Sequence, residues 1–176
     1  MKTDNLYTAI TEAAQAHGLP WWLLYTQIER ESDFDTKAES GCGAIGLMQI
    51  MPATARSCGV DPETLWDPAA NIRLGAQILA DNVGIFRDED GDERLKFGLA
   101  AYNGGPGYVI NAQSLAQREG LDPAQWDSIK QTLPRSVAYV GGDWKHPDAG
   151  QIIGYVDWIW MHYELRKDRP IPGGGA

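Results

Sequence analysis

Apolar positions recur at helical spacing along most of the chain. Residues 4–17 carry Leu6, Ile10, Ala13 and Ala14 in that pattern, and Gly18 and Pro20 break it and restart it. The spacing predicts a first helix over 4–17. A second helix is predicted from Trp21 to about Ser32, with Pro20 at its first turn and Leu24, Ile28 and Glu31 on one face at i, i+4 and i+7. An acid therefore shares a stripe with two core-type residues. From Asp33 to Gly46 the chain is polar and Gly-rich, which predicts a loop with a short hairpin around Gly43 to Met48.

Beyond the loop, Pro52 opens a short helix to Cys58 that Gly59 stops. Asp67 is placed to cap a longer helix beginning at Pro68 and carrying Ile72, Ala76, Leu79 and Val83. The acidic stretch Arg87 to Asp92 reads as a solvated loop. A helix over Glu93 to Tyr102 should end at Asn103-Gly104-Gly105, and Pro106 should open another toward Leu115. Residues 121–149 are broken by Pro123, Pro134, Gly141, Gly142 and Pro147, leaving one short helix at Ala124 to Thr132. The closing helix, Gln151 to Leu165, sets Ile152, Tyr155, Ile159 and His162 or Tyr163 on one stripe. No repeat or long linker divides the chain, so the expectation is one mainly α domain over 1–169 followed by a Gly-rich tail, 170–176, that does not pack.

Composition narrows the function. With 176 residues, 43% of them hydrophobic and 22% charged, the chain is large enough to bury its own core and too apolar to be disordered. A net charge of -9 leaves no basic footprint, which argues against nucleic acid and anionic lipid surfaces as partners. No apolar run is long enough for stable membrane insertion. Seven Trp and seven Tyr could stack on sugar rings or fill a core. Cys42 and Cys58 lie far from His17, His146 and His162, so no metal pattern is present, no cofactor is implied, and free thiols are expected. The first residues lack the apolar segment of a secretory signal, which suggests a chain made in a cytoplasm or trimmed after export.

Glu31 is the candidate for chemistry. A carboxyl on a buried stripe is desolvated, and desolvation raises its pKa, so that it keeps a proton near neutral pH and can donate it to a leaving oxygen. Spacing alone also fits a solvated helix-end Glu paired with Arg30 or Lys37. Its neighbours change that balance. Glu31-Ser32-Asp33-Phe34 is followed by Ala38, Ser40 and then Gly43-Ala44-Ile45-Gly46-Leu47-Met48-Gln49-Ile50-Met51-Pro52-Ala53-Thr54-Ala55. Further on come Leu99-Ala100-Ala101-Tyr102-Asn103-Gly104-Gly105-Pro106-Gly107 and then Gly154-Tyr155-Val156. These three segments, in this order, resemble the signatures of the soluble lytic transglycosylase family.

The resemblance implies a lysozyme-like α+β fold with a small β element beside a cleft, and peptidoglycan glycan strands as substrate. It implies Glu31 as catalytic acid and base, Ser40 and Tyr102 as hydroxyls that orient it or touch substrate, and Met48, Gln49, Asn103 and Tyr155 as further binding residues. Ile50 and Met51 are expected in the core, and the glycines at 43, 46, 104, 105 and 107 for backbone conformation. One departure stands out: the family often has a Glu-Thr pair where this chain has Gln151-Ile152, which leaves Asp33 and Asp35 as the obvious second acids if one is needed. The implied product is a 1,6-anhydro muramic acid end, and the implied setting a phage lysin or virion component. Two alternatives remain: a goose-type lysozyme that uses water, and a noncatalytic wall-binding or structural protein on the same fold.

Overall fold

The computed structural model describes residues 3–140 and 142–172. Met1, Lys2, Gly141 and the end of the tail, 173–176, lie outside the described residues. Eight α-helices occur among the described residues: α1 (Thr3–His17), α2 (Trp21–Ser32), α3 (Pro52–Ser57), α4 (Pro68–Ile85), α5 (Gly91–Gly104), α6 (Pro106–Arg118), α7 (Trp126–Thr132) and α8 (Ala149–Glu164). Two single-turn 3-10 helices, Pro62–Trp66 and Leu133–Arg135, complete the helical part. An antiparallel hairpin pairs β1 (Ala138–Val140) with β2 (Asp143–Lys145), Tyr139 opposite Trp144.

Helix punctuation follows local chemistry. Pro20 sits one residue before α2, where its carbonyl accepts from the N–H groups of Leu23 and Leu24 at 3.1 and 3.2 Å. Asp67 caps α4 by accepting from Ala70 N–H at 2.8 Å. Helix α5 starts at Gly91 rather than Glu93, because Asp92 and Glu93 suit the positive end of the helix dipole. Helix α6 continues past Leu115 to Arg118, and left-handed Gly120 follows it. The hairpin at 138–145 falls in a stretch read as irregular, since three-residue strands are too short to show an alternating pattern.

By its internal packing the chain forms two compact units. The first comprises 1–78 and 159–176. Here α1 packs on α2, and Ile10, Leu23, Leu24, Ile28, Leu47, Met48 and Ile72 are fully buried. The turn after α8 fastens to α2: the Arg166 guanidinium donates to both Glu29 oxygens, at 2.5 and 3.1 Å, and Trp22 Nε1 donates to Arg169 O at 2.9 Å. Arg166 also lies 5.7 Å from the Tyr25 ring centre, in an aromatic band with Tyr7, Trp21, Trp22 and Phe34.

The second unit is 79–158. Helix α6 packs on α5 and α7, and Phe97 meets Phe86 and Trp126 edge-on, at 5.6 and 6.2 Å between ring centres. Trp126 Nε1 donates to Asp157 at 2.8 Å, and Thr132 Oγ1 donates to Ala112 O at 2.9 Å, so the polar atoms of this core are paired. On α8, Ile152, Tyr155, Ile159 and Tyr163 are buried, which resolves the closing stripe in favour of Tyr163 over half-buried His162.

Candidate active site

Glu31 is the penultimate residue of α2 and is half-buried, while Leu24 and Ile28 on its stripe are wholly enclosed. The helix stops immediately afterwards. Asp33 takes a left-handed conformation with φ 49° and donates its N–H to Glu29 O at 2.9 Å, and Phe34 is left-handed too, with φ 62°. Two successive left-handed residues other than glycine cost roughly 1–3 kcal/mol each and persist only where the surroundings hold them. Here Asp35 N–H donates to Ser32 O at 3.0 Å, and the Phe34 ring leans on Tyr25 at 4.7 Å. Burial, with Tyr7 and Glu29 nearby, pushes the Tyr25 phenol up from its ordinary value, so it stays neutral near neutral pH. Asp33 and Asp35 are exposed.

The loop that follows is folded by paired backbone rather than by long strands. Isolated antiparallel bridges join Glu39 to Ile45 and Ile45 to Ile50, and this is the small β element of the first unit. Its first turn is closed by Gly43 N–H donating to Ser40 O at 2.8 Å, and its second by Gln49 N–H donating to Gly46 O at 3.1 Å between the paired Ile45 and Ile50, where the short hairpin around 43–48 was expected. Ser40 Oγ accepts from Ala44 N–H at 2.9 Å, which leaves the hydroxyl proton for donation. Gln49 is left-handed, φ 47°, and its amide donates to Gly46 O at 3.0 Å and Ala38 O at 3.3 Å, tying both limbs together.

Two expectations need correction here. Met48 is fully enclosed, and a Cβ added to Gly75 would come within 2.6 Å of its side chain, so Met48 seats the loop on α4 instead of presenting a surface. Met51, expected in the core, is 39% exposed because it precedes α3 as that helix's cap, whereas Ile50 is buried as expected. One residue went unnoticed in the sequence. Asn71, fully buried, accepts from Met48 N–H at 2.8 Å and donates to Ile45 O at 2.9 Å and Leu65 O at 3.0 Å. Its signal was a carboxamide one residue from Ile72, in the first turn of an amphipathic helix. Cys42 and Cys58 are free and exposed.

In the second unit, Tyr102 and Asn103 sit in the last turn of α5, both half-buried. That turn lies tight against α8: a Cβ on Gly104 would fall 2.2 Å from Ile152 Cδ1, so Gly104 serves close approach rather than an unusual φ. Asn103 Oδ1 accepts from Gln151 Nε2 at 3.4 Å. Both line a polar cavity of about 200 Å³ with Tyr108, His146 and Asp148. Asp148 also accepts from Gln151 N–H at 3.0 Å, so the cavity keeps an acid although position 151 holds an amide. Tyr155 is buried within α8.

Comparison with known proteins gives the family and the fold. The transglycosylase SLT domain matches residues 8–123. The chain is 35% identical over 91% of its length to a membrane-bound lytic murein transglycosylase F of Desulfosudis oleivorans, and 38% identical over 89% to one of Stutzerimonas stutzeri. It spans about a third of those proteins, 36% and 33%. Among solved structures, the 70 kDa soluble lytic transglycosylase of Escherichia coli superposes with a TM-score of 0.66 at 22% identity, over 89% of this chain and 23% of that one. An inactive mutant of the lytic transglycosylase Slt of Pseudomonas aeruginosa gives 0.65 at 27%, over 93% and 25%. The fold is thus the mainly α, lysozyme-like one that the motifs implied. With the domain match covering more than half of its residues, the chain belongs to the transglycosylase SLT domain family.

Proposed function

We propose that this protein is a peptidoglycan lytic transglycosylase that cleaves the β-1,4 bond between N-acetylmuramic acid and N-acetylglucosamine. The observation that carries this reading is the place of Glu31, a half-buried carboxyl on the last turn of α2, directly before the left-handed break and beside the loop that holds Ser40 and Gln49. Family membership and the names of the relatives support it.

In this reading protonated Glu31 donates its proton to the glycosidic oxygen as the bond to the anomeric carbon breaks. The substrate's own N-acetyl group stabilises the developing positive charge, so a second carboxylate is not required. The Glu31 carboxylate then takes the proton from the muramic acid O6 hydroxyl, whose oxygen closes on the anomeric carbon. No water is consumed, and Glu31 ends protonated as it began. Ser40 supplies a hydroxyl for the substrate or for Glu31, and Tyr102 and Asn103 are assigned to substrate binding by the family motif they match. Gln49 shapes the binding surface, while Met48 and Tyr155 act through packing.

Glu31→Gln is expected to abolish clearing of purified peptidoglycan with an unchanged far-UV circular dichroism spectrum, because the near-isosteric amide cannot give and recover a proton. Clearing at the wild-type rate by the folded variant would remove Glu31 from the mechanism. Mass spectrometry of the products separates this reading from a goose-type hydrolase, whose reducing ends are one water heavier. The bacterial, membrane-bound names of the relatives speak for a wall-remodelling enzyme over the phage lysin expected from the sequence. Lysis of a host only when a membrane hole-former is co-expressed would favour the lysin.

A further inference from the structure

We propose that Asn71 is a positioning residue for the reaction assigned to Glu31, an inference that rests on that assignment. Asn71 is held in the first turn of α4, its own N–H donating to Asp67 O at 2.9 Å. Its side chain is fully buried and uses its acceptor and both amide hydrogens on three separate backbone groups: Met48 N–H, Ile45 O and Leu65 O. An unpaired polar group here would have no water to turn to, so the loop keeps this path while the amide is present.

The fit is steric as well as polar. Gly46 lies between two of the bonded residues with φ 75°, and a Cβ there would sit 2.4 Å from Asn71 Nδ2. The amide therefore occupies the space that a side chain at 46 would need. The same short loop reaches α2, because Leu47 O accepts at 3.0 Å from Ser32 Oγ, whose one hydrogen is shared with Ile28 O at 3.2 Å. Ser32 follows Glu31 directly and is the last helical residue before the left-handed pair. Hydrogen bonds thus run from α4 through Asn71 to residues 45–48, and through Ser32 to the turn that carries Glu31. Aspartate cannot replace the amide, since a carboxylate would set an oxygen against the carbonyls of Ile45 and Leu65.

The test uses the full chain and soluble uncrosslinked glycan strands, with rates per folded molecule. Asn71→Ala is expected to lower kcat roughly tenfold to a hundredfold while KM moves by about twofold or less, as displacement of a reacting group does without loss of binding surface. Ser32→Ala should lower kcat in the same way, and the double variant should be no worse than the poorer single one, because both cut one path. Ile129→Ala, a core truncation in the second unit, is expected to lower the unfolding temperature with kcat unchanged, which separates positioning from general loss of stability. A folded Asn71→Ala with wild-type kcat, or effects of Asn71→Ala and Ser32→Ala that multiply, would overturn the proposal. If Asn71→Ala does not fold, Ser32→Ala decides alone, and wild-type kcat there overturns it. Glu31→Gln runs in parallel: an inactive Glu31→Gln beside a fully active Asn71→Ala removes only the positioning role, whereas an active Glu31→Gln removes the assignment beneath it.

Discussion

At the scale of single residues, position 151 tests how many acids the proposed reaction needs. The amide of Gln151 is exposed and its bond to Asn103 is long, 3.4 Å, so it contributes little rigidity. Gln151→Ala should therefore slow wall clearing by no more than about tenfold, the range of one net hydrogen bond, and the products should keep their anhydro ends. Near-complete loss in a folded variant would give the amide a direct part in the transition state. Asp148, in the same cavity, is then the acid to replace next. Glu31 could be singled out as a candidate from the sequence because its neighbours, Ser32 through Phe34, form a recognisable string. Asn71 could not, because its three partners, at 45, 48 and 65, are distant in sequence, and nothing in a helical pattern shows what a buried amide will meet.

At the scale of elements, punctuation was the most readable signal. Asp67 before Pro68 gave the start of α4, and Asp67→Ala should cost about 1 kcal/mol, a fall of roughly 2–4 °C in Tm by circular dichroism. No change in Tm would show that α4 is held by packing alone. What stayed hidden shares one cause, dependence on partners outside the local window. The Pro62–Trp66 turn and the hairpin at 138–145 are each too short to impose a period of their own. Likewise Met48, expected to line the cleft, is enclosed, and Gly75, one turn beyond Asn71, leaves room for its side chain.

At the scale of the whole molecule, the first unit is drawn from two separated stretches, 1–78 and 159–176, and the second from one continuous stretch. The groups that fasten the proposed catalytic helix, Arg166 on Glu29 and the Arg169 carbonyl on Trp22, are translated only after all of 79–158. A ribosome-bound chain thus has the parts of its second unit long before it can secure α2. Stalled chains with residues 1–158 outside the ribosome should resist protease within 79–158 while cleavage persists around Asp33 and Phe34. Release of 159–172 should close that site. Equal early protection of both stretches would show that α2 is secured without them. If the order holds, the proposed wall-cleaving activity is withheld until Arg166 has emerged from the ribosome.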